Sequence, residues 1–88
     1  MTRICICGAG TMGTGIAQVT ALAGYYTVLY DLDKKTIELA SKKMSSDLQM
    51  LVDKKKITPE KRDVILQEVL FTTDINQCKA DLVIEAII

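Results

Sequence analysis

The sequence predicts an α/β domain built on a four-stranded parallel sheet. Short apolar runs without polar alternation, such as Ile4-Cys5-Ile6-Cys7, fit strands covered on both faces. They alternate with longer segments whose apolar residues recur at three and four positions, the helical period. The first run also passes through Gly8-Ala9-Gly10-Thr11-Met12-Gly13 directly into such a segment.

The first strand is expected over Arg3 to Cys7, ended by Gly8. Thr11 to Ala23 follows as a helix with Met12, Ile16, Val19 and Ala23 on one stripe, stopped by Gly24 as its C′ residue. Thr27 to Tyr30 is β-branched and aromatic, a second strand that ends at Asp31. Asp33 is a good N-cap for the next helix. Its buried face is expected from Ile37, Ala40, Met44, Leu48 and Leu51, with Lys34, Lys35, Glu38, Lys42 and Lys43 on the wet side. Lys54-Lys55-Lys56 marks its exit. Thr58-Pro59-Glu60 starts another helix, with Thr as cap, Pro at the first helical position and Glu at the positive helix end. Val69 to Thr73 is a third strand, Asp74 to Lys79 a turn or single helical turn, and Leu82 to Ile88 a fourth strand. This order demands right-handed crossovers and a spatial order of third, second, first, fourth strand, the first half of a Rossmann sheet with flanking helices.

Composition narrows the class. Eleven basic and eleven acidic residues balance, so no electrostatic footprint for nucleic acid or an anionic membrane exists. Without His, the chain offers no histidine base or histidine metal ligand. The uncharged stretch from Ile4 to Tyr30 is long enough to span a bilayer, but five glycines with Gln18, Thr20 and Thr27 break it into short blocks. A signal peptide fits no better, because the apolar run stops at Gly8. A cytoplasmic protein is the expectation. Cys5 and Cys7, two apart on a strand, share a face. They read as small buried hydrophobes in a reduced compartment, because a metal site would need more ligands than Cys78 can add.

The glycine loop carries the chemistry. G-x-G-x-x-G alone is a weak signal, but here it follows a strand, opens a helix, and is followed roughly 20 positions later by an acidic strand end, Asp31. Gly8 permits the turn, Gly10 lets a pyrophosphate approach, and Gly13 lets the helix pack closely. The first helical N–H groups lack internal partners and favour an anion. Asp31 can accept from the adenosine ribose hydroxyls and repels a 2′-phosphate, which points to NAD over NADP.

Ile6 to Gln18, Val28-Leu29-Tyr30-Asp31 and Asp81-Leu82-Val83-Ile84-Glu85-Ala86 together resemble the NAD-binding domain of L-3-hydroxyacyl-CoA dehydrogenases, the bacterial 3-hydroxybutyryl-CoA enzymes most of all. The resemblance implies reversible NAD-linked oxidation of an (S)-3-hydroxyacyl-CoA to the 3-ketoacyl-CoA. It implies cofactor binding by Gly8, Ala9, Gly10, Thr11, Met12, Gly13, Asp31, Ala86 and Ile87. Lys54 matches a lysine that touches coenzyme A, while the neighbouring serine position holds Asp47, with Ser46 adjacent. The family's catalytic His–Glu pair lies beyond the fourth strand, so no catalytic residue is expected within residues 1–88. Those residues correspond to an incomplete Rossmann domain, with the rest of it and a C-terminal helical domain expected beyond Ile88. The resemblance also implies an acyl-CoA substrate and a homodimer. Another β-hydroxyacid dehydrogenase and a non-catalytic NAD-sensing regulatory domain are the alternatives; a downstream His–Glu pair would separate them.

Overall fold

In a computed structural model, which describes residues 2–86, the apolar runs pair as parallel strands and the periodic segments cover one face of the sheet. The elements are β1 (Arg3–Cys7), α1 (Thr11–Leu22), β2 (Tyr26–Tyr30), α2 (Lys34–Asp53), α3 (Pro59–Gln67), β3 (Val69–Thr72), a 3₁₀ turn (Ile75–Gln77) and β4 (Leu82–Glu85). The strand order is β3-β2-β1-β4, as expected. Cys5 lies opposite Val28 on β2 and Val83 on β4, so these three side chains share the face turned away from the helices. Ile4, Ile6 and Leu29 point the other way, into a core closed by Ala17 and Ala21 of α1, Ile37, Ala40, Met44 and Leu48 of α2, and Ile65 of α3. Among the described residues, no helix is long and apolar enough to cross a membrane.

Helix entries follow the capping residues. Asp33 accepts from the Lys35 amide at 3.3 Å and from the Thr36 hydroxyl at 2.7 Å. That hydroxyl contact is the main reason its carboxyl is held below the usual range. Thr58 accepts from the Lys61 amide at 3.1 Å.

One expectation for α1 is overturned. Met12, Val19 and Ala23 are exposed; the buried face is Gly13, Thr14, Ala17 and Ala21. α1 sits so close to β1 and β2 that small residues line the face beneath it; Met12 and Val19 are turned outward, while Ile16 and Leu22 pack at the edge of the core. Ends also move slightly. β2 starts one residue earlier, at Tyr26, β3 ends at Thr72, and β4 ends at Glu85. The expected extension of β4 to Ile87 and Ile88 lies outside the described residues.

Both long helices leave through the same hydrogen-bond motif, with different residues at its left-handed position. After α1, Gly24 has φ 91°, its amide donates to Ala21 O at 3.0 Å, and the Tyr25 amide donates to Thr20 O at 3.1 Å. After α2, the amides of Lys55 and Lys56 donate to Val52 O and Leu51 O, both at 2.9 Å, and Lys55 has φ 59°. This is the Schellman arrangement, which glycine enters without a Cβ clash. An L-residue there costs about 1–2 kcal/mol, and glycine's greater freedom when unfolded takes back part of that. Lys55→Gly should therefore stabilise the protein by about 0.5–1 kcal/mol in urea unfolding; a lower midpoint would show that the Lys55 side chain does more than tolerate its backbone.

Candidate functional site

The glycine loop joins β1 to α1 at the C-terminal edge of the sheet. Gly8 takes φ 109°, a value that L side chains rarely adopt, and its amide donates to Tyr30 O at 2.7 Å. This turns the chain off β1 while tying it to the end of β2. Gly13 has a steric requirement: a Cβ there would lie 1.6 Å from Gly8 O and 3.5 Å from the Ala86 Cβ. The start of α1 thus rests directly on the loop's first carbonyl. Gly10 differs, since a Cβ there would meet nothing within 4 Å. The chain leaves that space open in front of the helix.

The N-terminus of α1 carries no side-chain cap. Its first internal bond runs from the Thr14 amide to Gly10 O at 2.9 Å, so the Thr11, Met12 and Gly13 amides precede the helical ladder. Thr14 turns its buried hydroxyl inward to Ala9 O at 3.1 Å. An uncapped helix end facing open space is suited to an anion such as a pyrophosphate.

Asp31 does more than the sequence suggested. One carboxylate oxygen accepts from the Ala9 amide and the other from the Asp33 amide, each at 2.9 Å. It therefore braces the glycine loop against the turn after β2. A carboxylate has about four acceptor positions, so about two remain for ribose hydroxyls. Asp31 shares a cleft with Cys7, Gly8, Tyr30 and Leu32. Leu32, with 82% of its surface exposed, was missed by sequence reasoning because it belongs to no strand or helix period. It offers an apolar wall beside the carboxylate, suited to a flat aromatic base. On the other side of the loop, Ala9, Gly10 and Thr11 share a cleft with Thr36, Leu39 and Lys43 of α2.

The remaining expected residues divide. Ala86 lies against the loop: its amide donates to Cys7 O at 2.8 Å. Ile87 lies outside the described residues. Lys54 is exposed at the C-cap of α2, about 16 Å along the helix beyond Lys43, the last α2 residue in the cleft beside the loop. The structure does not bring it to the dinucleotide loop. It does bring Cys78, just after the 3₁₀ turn, to Cys5 and Cys7, a convergence across the chain that no local pattern announces.

With its 3-2-1-4 parallel sheet, its helix resting on a glycine turn and its acidic strand end bound to that turn, the chain is a dinucleotide-binding domain of the Rossmann class. The comparisons narrow this further. Residues 3–88 match the NAD-binding domain of 3-hydroxyacyl-CoA dehydrogenase, and the chain belongs to that family. It is 36% identical over 87 residues to 3-hydroxybutyryl-CoA dehydrogenase from Mycobacterium tuberculosis, covering 98% of this chain and 30% of that protein. It is 37% identical over 84 residues to 3-hydroxyadipyl-CoA dehydrogenase from Escherichia coli, covering 94% of this chain and 18% of that one. The solved (S)-3-hydroxybutyryl-CoA dehydrogenase from Ralstonia eutropha superposes with a TM-score of 0.93 at 32% identity, over 100% of this chain and 31% of that structure. The chain thus spans about a third or less of the relatives it matches.

Proposed function

We propose that this chain supplies the cofactor-holding part of an NAD-linked 3-hydroxyacyl-CoA dehydrogenase that acts on short acyl chains such as 3-hydroxybutyryl-CoA. The observation that carries this reading is the pairing of the uncapped α1 amides, which face open space at Gly10, with a carboxylate bound to the same loop. In this reading the amides of the Gly8–Gly13 loop, including those of Ala9, Thr11 and Met12, cradle the pyrophosphate. Asp31 accepts from the ribose hydroxyls and repels a 2′-phosphate. Leu32 flanks the adenine, and Ala86 and Ile87 line the approach to the nicotinamide end. NAD, when bound, accepts the hydride from the substrate's C3; the residues described here bind and orient it.

Lys54 is assigned to coenzyme A. Its distance from the loop suits a substrate with a long arm, whose phosphates lie far from its reacting carbon. A role in fatty acid or butanoate metabolism follows the relatives' names, and a cytoplasmic homodimer, which the family resemblance implies, completes the reading.

One assay tests it. The full-length protein should oxidise NADH in the presence of acetoacetyl-CoA, with NADPH a much poorer donor. In the same assay Lys54→Ala should raise KM for the CoA substrate and leave kcat unchanged. NADH binding without any acetoacetyl-CoA-dependent oxidation would overturn the dehydrogenase reading and favour a regulatory domain.

A further inference from the structure

We propose that Cys5, Cys7 and Cys78 form a three-sulfur site that takes trivalent arsenic from arsenite. Their sulfur atoms all lie within 4.8 Å of one another. Three points so spaced lie within about 2.8 Å of a centre in their plane; trivalent arsenic is pyramidal and sits above that plane with bonds of about 2.3 Å, so each sulfur needs to move inward by less than about 1 Å. All three cysteines are free thiols.

The third sulfur is held in place by the fold. The Arg3 guanidinium donates to Gln77 O at 3.2 Å, the Arg3 amide donates to the Asp81 carboxylate at 2.9 Å, and the Asp81 amide donates back to Arg3 O at 2.9 Å. The Cys78 amide is bound to Ile75 O at 3.0 Å. The segment that carries Cys78 is thereby fastened across the start of β1, whose Cys5 and Cys7 point to the same side.

Charge selects among thiophilic ions. Three thiolates around a monovalent ion leave two net negative charges, around a divalent ion one, and around a trivalent centre none. Burial penalises net charge, Cys5 is fully buried, and Glu85 adds a negative field at Cys7. Arsenite condenses with neutral thiols: three As–O bonds break, three As–S bonds form, and three water molecules leave with the three thiol protons. No electron is transferred.

The test is native mass spectrometry of the full-length protein after incubation with arsenite. The expected adduct gains one arsenic atom and loses three hydrogens, with no hydroxyl retained. Cys78→Ala, at a half-buried position, should keep the fold, reduce the adduct to a two-sulfur form that retains a hydroxyl, and weaken arsenic retention by about 100-fold. A wild-type adduct that retains a hydroxyl, the absence of an adduct, or a hydroxyl-free adduct that persists in Cys78→Ala would each overturn the site.

Discussion

Gly13→Ala should cost the full-length protein about 3 kcal/mol of stability and weaken NADH binding about 100-fold, while Gly15→Ala, two residues on, should do neither. The added methyl at position 13 would sit 1.6 Å from Gly8 O and 2.8 Å from Gly8 C, both backbone atoms. No rotamer change relieves such a clash. Either α1 lifts away from the loop or the Gly8 turn opens, and each movement spoils the geometry of the amides that face the cofactor. At Gly15 a Cβ would meet nothing within 4 Å, so the exchange brings only alanine's better helix propensity, about 0.5–1 kcal/mol in favour of the folded state. Urea unfolding and NADH fluorescence titration on both variants check the contrast. Wild-type stability and affinity in Gly13→Ala would show that α1 can shift without consequence, and the steric account of the loop would fail.

That contrast also marks what was legible in the sequence. The strand order, the two capped helices and the loop could be read because each rests on local chemistry: Asp33 and Thr58 cap their own helices, and Gly24 ends α1 in a conformation that suits glycine. The face of α1 could not be read from hydrophobic spacing. Burial there is decided by close approach to the sheet, which selects Gly13, Thr14, Ala17 and Ala21 over the larger Met12 and Val19. The second task of Asp31 was hidden for a related reason. Its spacing from Gly8 announces a ribose acceptor, but only the folded turn brings its carboxylate to the Ala9 amide. Cys78 was out of reach altogether, since its place beside Cys5 and Cys7 depends on how the β3–β4 connection crosses the sheet. Leu32 gave no periodic signal; its position directly after an acidic strand end was the one available cue.

Asp31→Ala should weaken NADH binding by about 1–3 kcal/mol, or roughly 5- to 150-fold in Kd, and should also lower stability by about 1–3 kcal/mol. The two losses have separate origins. Affinity falls because the ribose hydroxyls lose a charged acceptor. Stability falls because Ala9, 97% removed from solvent by its 3% exposure, keeps an amide that no longer has a partner, and the Asp33 amide loses its partner at the entry to α2. A carboxylate that served the ribose alone would leave the unfolding midpoint unchanged. An unchanged Kd with a lowered midpoint would make Asp31 a brace and remove it from cofactor recognition. The double role also limits cofactor switching. Replacing Asp31 to relieve its repulsion of a 2′-phosphate releases the glycine loop in the same step. Asp31→Ser should therefore lose more affinity for NADH than it gains for NADPH, because its short hydroxyl cannot accept from both the Ala9 and the Asp33 amides. Titrating each dinucleotide into that variant checks the balance, and a gain for NADPH equal to the loss for NADH would show that the loop holds its shape without the carboxylate.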